Sequence, residues 1–222
     1  VAAEFAMNSF TISTNADGNG SVSCTPTIVP YNSGSVCTVT ADAGYHVTVT
    51  GCNGTLTGNT YVIAAMQSDC TIFTTFANSA PSLPTIVSPL SETETTTLAP
   101  TLAVSAVTDA DGDTVLYTYE IYSDGGLSTL VTGTTTESAS WTAPTLSDNT
   151  RYYWRAQASD GHLNSNWMTT ANFFVNTVND RPSDPGISAP VNNVYVSTLT
   201  PSLSVTNAAD VDYYDTFTYD FD

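Results

Sequence analysis

The chain contains no lysine and only three arginines, Arg151, Arg155 and Arg181, among 222 residues. Without lysine there is no amine nucleophile, no Schiff base and no lysine-bearing phosphate loop, and a lysine–asparagine isopeptide crosslink is excluded. Against the arginines stand 21 acidic residues, which give a formal net charge of −18. Such a charge repels phosphate backbones and attracts cations. We therefore expect no nucleic-acid partner.

Long apolar runs and helical periodicity are also missing. No run of about 18 apolar residues occurs, so the sequence predicts no membrane span in this segment. Val, Ile, Thr, Tyr and Phe instead alternate with polar residues in short runs separated by Gly, Pro, Asn and Asp. This pattern is typical of strands and turns. The predicted fold class is all-β.

Catalytic motifs are scarce. The sequence has no GxSxG, no HExxH and no glycine-rich phosphate loop. Its two histidines, His46 and His162, are far apart, and we expect His46 to be a half-buried sheet residue. Paired carboxylates are common, but in an acidic chain they arise by default. The sequence predicts a protein that is not an enzyme and requires no cofactor.

All four cysteines lie in the first 70 residues, at Cys24, Cys37, Cys52 and Cys70. Four cysteines allow three pairings. Cys24 with Cys37 and Cys52 with Cys70 are favoured, because each pair sits on or beside neighbouring predicted strands. Zinc is the alternative, but no CxxC occurs and the spacings fit no usual ligand set. Disulfides indicate an oxidising compartment, so we expect a secreted or cell-surface location.

An internal repeat sets the domain organisation. The segment that begins Asn78, Pro81, Ser82 returns 101 positions later as Asn179, Pro182, Ser183, and Asp109 and Asp111 return as Asp210 and Asp212. A repeat of this length is one whole domain. Residues 1–8 read as the tail of a preceding module, since residues 1–9 resemble residues 71–79. The predicted domains are 9–77, a complete domain at 78–177, and the first part of a second copy at 178–222.

Residues 9–77 contain the run from Ala43 to Val47, the glycine-rich run from Gly51 to Tyr61, and Asp69-Cys-Thr-Ile72. These runs resemble the bacterial repeat related to the internalin B-repeat, a small β-grasp-like module of surface proteins. The resemblance implies a spacer or adhesive role and supplies no catalytic residues. Six strands are predicted here, at 10–14, 21–24, 35–41, 46–51, 60–64 and 70–76.

Residues 78–177 contain Leu146-Ser-Asp-Asn-Thr-Arg-Tyr152, followed by alternating Trp154, Ala156 and Ala158. This pattern resembles the corner and sixth strand of fibronectin type III domains, a class of immunoglobulin-like β-sandwich. The resemblance implies that Tyr152 is the corner tyrosine. The tryptophan usual on the second strand is absent, so we expect Trp141 and Trp154 to supply the aromatic core. Seven strands are predicted, at 85–88, 101–106, 115–122, 128–132, 138–142, 151–158 and 167–175, and 178–222 should repeat the first three.

Clustered carboxylates are the sharpest local motif. The loop Asp109-Ala-Asp111-Gly-Asp113 can converge on a hard cation such as calcium, although its glycine position does not fit an EF-hand. Fibronectin type III connectivity implies that Asp160 lies at the same end. A second candidate calcium site comprises Asp148, Asn179, Asp180, Asp210, Asp212 and Asp215, in a linker that resembles the joints of bacterial cadherin-like repeats. The alternative is that these carboxylates simply form solvated turns.

The sequence thus predicts a non-catalytic extracellular segment of tandem β-modules that acts as a spacer, adhesion or assembly region. Its expected partners are further repeats of the same chain, cell-surface proteins, glycans or neighbouring copies. Two alternatives stay open. One is an accessory carbohydrate-binding segment of a secreted hydrolase, with a stacking platform formed by Tyr117, Tyr119, Tyr122 and Tyr153. The other is a filament subunit that a neighbouring copy completes.

Overall fold

A computed structural model describes residues 8–221. Residues 1–7, which belong to the predicted tail of a preceding module, and residue 222 lie outside this range. The described residues form 18 β-strands and no helix, so the predicted all-β class is confirmed. They fall into two compact units. One comprises the segment that ends at Leu83 together with Val107–Leu116 and Ala158–Asn166, and the other comprises Pro84–Ala106, Tyr117–Gln157 and Trp167–Asp222.

Eight strands form two four-stranded sheets in the first unit. They are β1 (Ser9–Ala16), β2 (Gly20–Thr25), β3 (Ile28–Pro30), β4 (Ser35–Ala41), β5 (His46–Thr50), β6 (Thr55–Thr57), β7 (Thr60–Ile63) and β8 (Cys70–Ala77). The sheet orders are β3-β1-β8-β5 and β2-β4-β7-β6. Neighbouring strands are antiparallel except β1 and β8, which pair in parallel.

The core of this unit follows from the period-two burial of its strands. Along β4, Ser35, Cys37 and Val39 are buried while the residues between them are exposed. Val29, Ile63 and Ile72 are also fully buried in the same cluster. Disulfides join Cys24 to Cys37 and Cys52 to Cys70, which confirms the favoured pairing. Cys24 and Cys37 stand directly opposite each other on β2 and β4.

The next eight strands form a sandwich. They are β9 (Ile86–Ser88), β10 (Thr93–Thr95), β11 (Thr101–Val104), β12 (Leu116–Tyr122), β13 (Leu130–Thr136), β14 (Ser140–Thr142), β15 (Thr150–Ser159) and β16 (Ala171–Val175). One sheet has the order β14-β11-β9 and the other β10-β16-β15-β12-β13, in which β10 runs parallel to β16. When β10 is left out, the first, second and fifth strands (β9, β11 and β14) form one sheet, and the third, fourth, sixth and seventh (β12, β13, β15 and β16) form the other. This is the fibronectin type III-like arrangement of an immunoglobulin-like sandwich.

Aromatic side chains fill this sandwich. Trp154 on β15 is fully buried, and its ring stacks on that of Tyr119. Trp141 on β14 is half-buried, and its ring centroid lies 6.1 Å from that of Tyr119. The hydroxyl of Tyr152 accepts a 3.0 Å hydrogen bond from the amide of Ser147, the bond that defines a tyrosine corner.

The last part of the chain holds two further strands, β17 (Gly186–Ala189) and β18 (Ser204–Thr206), which pair with each other. The expectation of three strands here is wrong for the described residues. In the preceding sandwich, the third strand of the repeat, β12, pairs with β13 and β15. Residues 207–221 have no equivalent neighbouring strands with which a third strand could pair. Large apolar side chains remain exposed in this part, among them Ile187 and Leu203.

Candidate cation-binding clusters

The first cluster lies in the first unit and gathers Asp109, Asp113 and Asp160. One carboxylate oxygen from each lies within 4.8 Å of the other two. Asp109 and Asp113 come from the loop between β11 and β12, and Asp160 follows β15. Asp113 also lies close to Gly44, where a Cβ atom would meet its Oδ2 at 2.7 Å and where φ is +81°. Glycine is needed at position 44 for both reasons.

Asp111 stands beside this cluster but is committed to other partners. Its Oδ2 accepts a 2.6 Å hydrogen bond from the amide of Ser79, and its Oδ1 lies 2.8 Å from Nδ1 of His46. The Ser79 amide holds the pKa of the Asp111 carboxyl below its usual range, against the opposing effect of burial and with further help from His46. Asp111 therefore fixes the segment after β8 to the Asp109 loop.

The second cluster lies in the second unit and gathers Asp210, Asp212 and Asp215, again with oxygens within 4.8 Å of one another. Asp212 is only 3% exposed. Its Oδ2 accepts a 2.6 Å hydrogen bond from the amide of Asp180. Asn149 donates through Nδ2 to Oδ2 of Asp180 at 2.7 Å. These two bonds tie the residues around position 180 both to the cluster and to the corner of the preceding sandwich.

The same hydrogen bonds recur in the two clusters. Asp109 Oδ1 accepts from the amide of Asp111, and Asp210 Oδ1 accepts from the amide of Asp212. Asn78 also donates through Nδ2 to Asp160 of the first cluster. At the equivalent repeat positions 79 and 180, the backbone amides of Ser79 and Asp180 donate to Asp111 and Asp212, both at 2.6 Å. The internal repeat is therefore reproduced in the site geometry as well as in the sequence.

Several buried oxygens of these residues have no hydrogen-bond partner within residues 8–221. They are Oδ2 of Asp109, Asp113 and Asp210, Oδ1 of Asp212, and Oδ1 of Asn78 and Asn149. A buried polar atom without a partner is costly. The three arginines do not supply the missing donors, because they pair with Glu92, Glu120 and Asp184. Converging oxygens without a basic partner form a donor set suited to a hard cation.

The remaining predicted ligands are placed differently. Both carboxylate oxygens of Asp148 accept from Thr177, from its hydroxyl at 2.6 Å and from its amide at 2.9 Å. The Thr177 hydroxyl, followed by the Thr177 amide, lowers the pKa of Asp148. Asn179 makes a long 3.5 Å contact with the carbonyl of Asp180. Sequence reasoning missed Asn78, Asn149 and His46, although Asn149 adopts φ +50° at the Asp-Asn corner, a conformation that favours asparagine.

A serine, a histidine and an aspartate meet in the first unit, but their geometry does not fit a nucleophilic relay. Ser79 Oγ lies 3.4 Å from Nδ1 of His46, and Asp111 Oδ1 lies 2.8 Å from the same nitrogen. A relay needs the carboxylate on one ring nitrogen and the hydroxyl on the other. Both groups here share Nδ1, so Asp111 cannot orient His46 toward Ser79. The side chain of His46, on β5, is 49% exposed, which is the half-buried sheet position expected of it.

The proposed sugar platform does not form from the four tyrosines named for it. Tyr117, Tyr119 and Tyr122 are buried, and only Tyr153 is partly exposed. Burial raises the pKa of the Tyr119 hydroxyl well above its usual range. Rings enclosed in the sandwich cannot stack on a sugar, so the expectation of an exposed platform is wrong for three of its four members.

The sequence matches no protein-family model and no curated protein. Among solved structures, the chain is similar to domains A168–A170 of titin, with a TM-score of 0.31, 10% identity, and coverage of 72% of this chain and 59% of the titin fragment. It is also similar to the FN1–FN3 domains of chicken CNTN1, with a TM-score of 0.37, 10% identity, and coverage of 78% and 70%. The chain thus spans less than two thirds of that titin fragment. The fold assignment rests on the strand order described above.

Proposed function

We propose that the chain is a non-catalytic, extracellular or cell-surface segment of tandem β-domains that acts as a spacer, adhesion or assembly region. One observation carries this proposal: the interior of each unit is filled by apolar side chains. In the second unit Trp154, Tyr119 and Phe173 are fully buried, and in the first Ile63 and Ile72 are. The polar groups that converge do so at loops, where they join neighbouring segments of chain.

The extracellular location is supported by the cysteines. All four are in disulfides, which persist in oxidising compartments. No helix among the described residues is long and apolar enough to cross a membrane. The chain contains no lysine and has a low charged fraction of 11%. Further repeats of the same chain are the partners that the internal repeat favours.

Assembly is the second candidate, and the repeat supplies an observation that favours it. Leu102 on β11 is fully buried, while its repeat counterpart Leu203 is 54% exposed. Ile187 is 61% exposed on the paired strand β17. The face that β11 buries against its own sandwich is thus left open beside β18. A strand pair with an open apolar face associates readily with a complementary surface.

Light scattering separates the spacer role from assembly. As a spacer, the chain should keep a monomeric mass at every concentration. A mass that rises with concentration and returns to monomer in Ile187→Glu/Leu203→Glu would favour assembly. Leu130→Glu is the control, because Leu130 is equally exposed on β13.

A glycan panel tests the carbohydrate-binding alternative. As a spacer, the chain should show no saturable binding to any glycan. Specific binding that is lost in Tyr153→Ala would overturn the spacer role in favour of an accessory module. Turnover of any panel member would overturn the non-catalytic assignment.

A further inference from the structure

We propose that the two clusters are calcium sites, one formed by Asp210, Asp212 and Asp215, and the other by Asp109, Asp113 and Asp160 with Asn78 beside them. This inference goes beyond the proposed function and does not depend on it. A spacer without calcium and an enzyme with structural calcium are both consistent with the chemistry of these residues.

The buried oxygens without hydrogen-bond partners are the main evidence for this inference. Asp212 is only 3% exposed, and its Oδ1 has no hydrogen-bond partner in the described part of the chain. Its Oδ2 is already held by the Asp180 amide. One oxygen of the carboxylate is therefore satisfied by protein, while the other is buried without a hydrogen-bond partner. Asp109 and Asp210 repeat this division, with Oδ1 accepting an amide and Oδ2 left over.

The spacing of the oxygens fits a single ion. Calcium takes oxygen ligands at about 2.3–2.6 Å, so two ligands of one ion are separated by at most about twice that distance. In each cluster the three carboxylate oxygens lie within 4.8 Å of one another. Three carboxylates at that separation repel one another unless a cation lies between them. The clusters contain no arginine, since all three arginines pair with other carboxylates.

The donor types favour calcium over softer metals. The candidate ligands are the carboxylate oxygens of the six aspartates, with the Asn78 amide oxygen beside the first cluster. All of these are hard donors. No cysteine is available, because all four are in disulfides. The irregular loops around positions 109–113 and 210–215 suit the flexible coordination of calcium better than the strict octahedron of magnesium.

Calorimetric titration of the full chain with calcium, after chelator treatment, tests the proposal. At an ionic strength of about 0.15 M, we expect two calcium ions to bind. Asp210→Asn/Asp212→Asn and Asp109→Asn/Asp113→Asn should each lose one ion, with at least a tenfold weakening at the altered cluster. The control is Glu94→Gln/Glu137→Gln, which removes two exposed carboxylates and should still bind two ions. Equal losses in all three variants would mean diffuse attraction to an acidic surface and would overturn the proposal.

Terbium luminescence gives a second readout on the unaltered chain. Tyr213 and Tyr214 stand between Asp212 and Asp215 in the sequence, so excitation of tyrosine should sensitise an ion held by the second cluster. Calcium should displace the terbium at a concentration at least tenfold below that at which magnesium does. A signal that never saturates, or equal displacement by the two ions, would contradict the site even if the asparagine variants failed to fold.

Discussion

The backbone amide of Asp180 donates a 2.6 Å hydrogen bond to Oδ2 of Asp212, 32 residues further along the chain. Ser79 makes a bond of the same length to Asp111, the repeat counterpart of Asp212. In both places the residues that precede a repeat are fixed to a segment within it, the loop after β11 in one case and the residues after β18 in the other. The repeat thus preserves a joint between chain segments in addition to a set of core residues.

Asp212→Ala should release this joint. The Asp180 amide would lose its acceptor in a partly buried setting, which costs about 1–3 kcal/mol. Hydrogen exchange measured in chelator should show faster exchange at the Asp180 amide. Asp212→Asn, which keeps an acceptor oxygen, should exchange more slowly than the alanine variant. Similar rates in the two variants would contradict the role of this bond.

Leu102→Ala and Leu203→Ala form a matched pair at equivalent repeat positions. Leu102 is fully buried, so its truncation should cost about 2–5 kcal/mol. Leu203 is exposed, and its truncation should change the free energy of unfolding by no more than about 0.5 kcal/mol. Urea denaturation followed by tryptophan fluorescence measures the first value, because Trp141, Trp154 and Trp167 all lie in the second unit. A large effect of Leu203→Ala in the monomer would show that Leu203 is covered in solution.

Tyr152→Phe should destabilise the second unit by about 1 kcal/mol, because the Ser147 amide loses the hydroxyl that accepts its hydrogen bond. Tyr153→Phe is the control on the opposite face of the same strand, where the side chain is only partly buried. The same fluorescence-monitored denaturation compares the two. Equal losses of stability in the two variants would contradict a stabilising role for the Tyr152 hydrogen bond at the corner.

The two disulfides should differ in their resistance to reduction. Cys37 is fully buried and Cys24 nearly so, whereas Cys52 and Cys70 are partly exposed. Partial reduction followed by alkylation and mass spectrometry should label Cys52 and Cys70 first. Loss of either bridge should cost the first unit roughly 3 kcal/mol on the loop-entropy account, without changing the tryptophan-detected transition of the second.

Asp124 should make the stability of the second unit depend on pH in the acid range. Hydrogen bonds from the amides of Ser128 and Thr129 lower the pKa of its carboxyl below 3.8. A lowered folded-state pKa stabilises the fold above the unfolded value, and that contribution is lost as pH falls through the folded value. The native chain should therefore have a higher free energy of unfolding than Asp124→Asn. This difference should be largest above about pH 5 and should decrease as pH falls below 3.8. Urea midpoints of the two chains across this range measure it.

Sequence reasoning succeeded where the signal is local. The alternation of Tyr152, Trp154 and Ala156 predicted the buried face of β15, and strand adjacency predicted the pairing of Cys24 with Cys37. It missed β3, β6 and β10, which have three residues each. Strands that short are fixed by pairing with a neighbour rather than by their own pattern.

The candidate sites were predictable only in part. Carboxylates that share one loop, such as Asp109 and Asp113, were found because their spacing is visible in the chain. Asn78 was not, because its contact with Asp160 joins residues 82 positions apart. Asp148 was assigned to the second cluster because the corner of the preceding domain was expected to reach it, yet Thr177 donates to both of its oxygens.

The parallel pairing of β1 with β8 has a mechanical consequence. Parallel strands start at the same end of a sheet. The chain therefore enters β1 at one end of this sheet and leaves β8 at the opposite end. Tension along the chain would pull β1 and β8 in opposite directions and strain all their hydrogen bonds together in shear. A fold pulled in this way has to break its terminal strand pair all at once, whereas antiparallel ends would unzip one bond at a time.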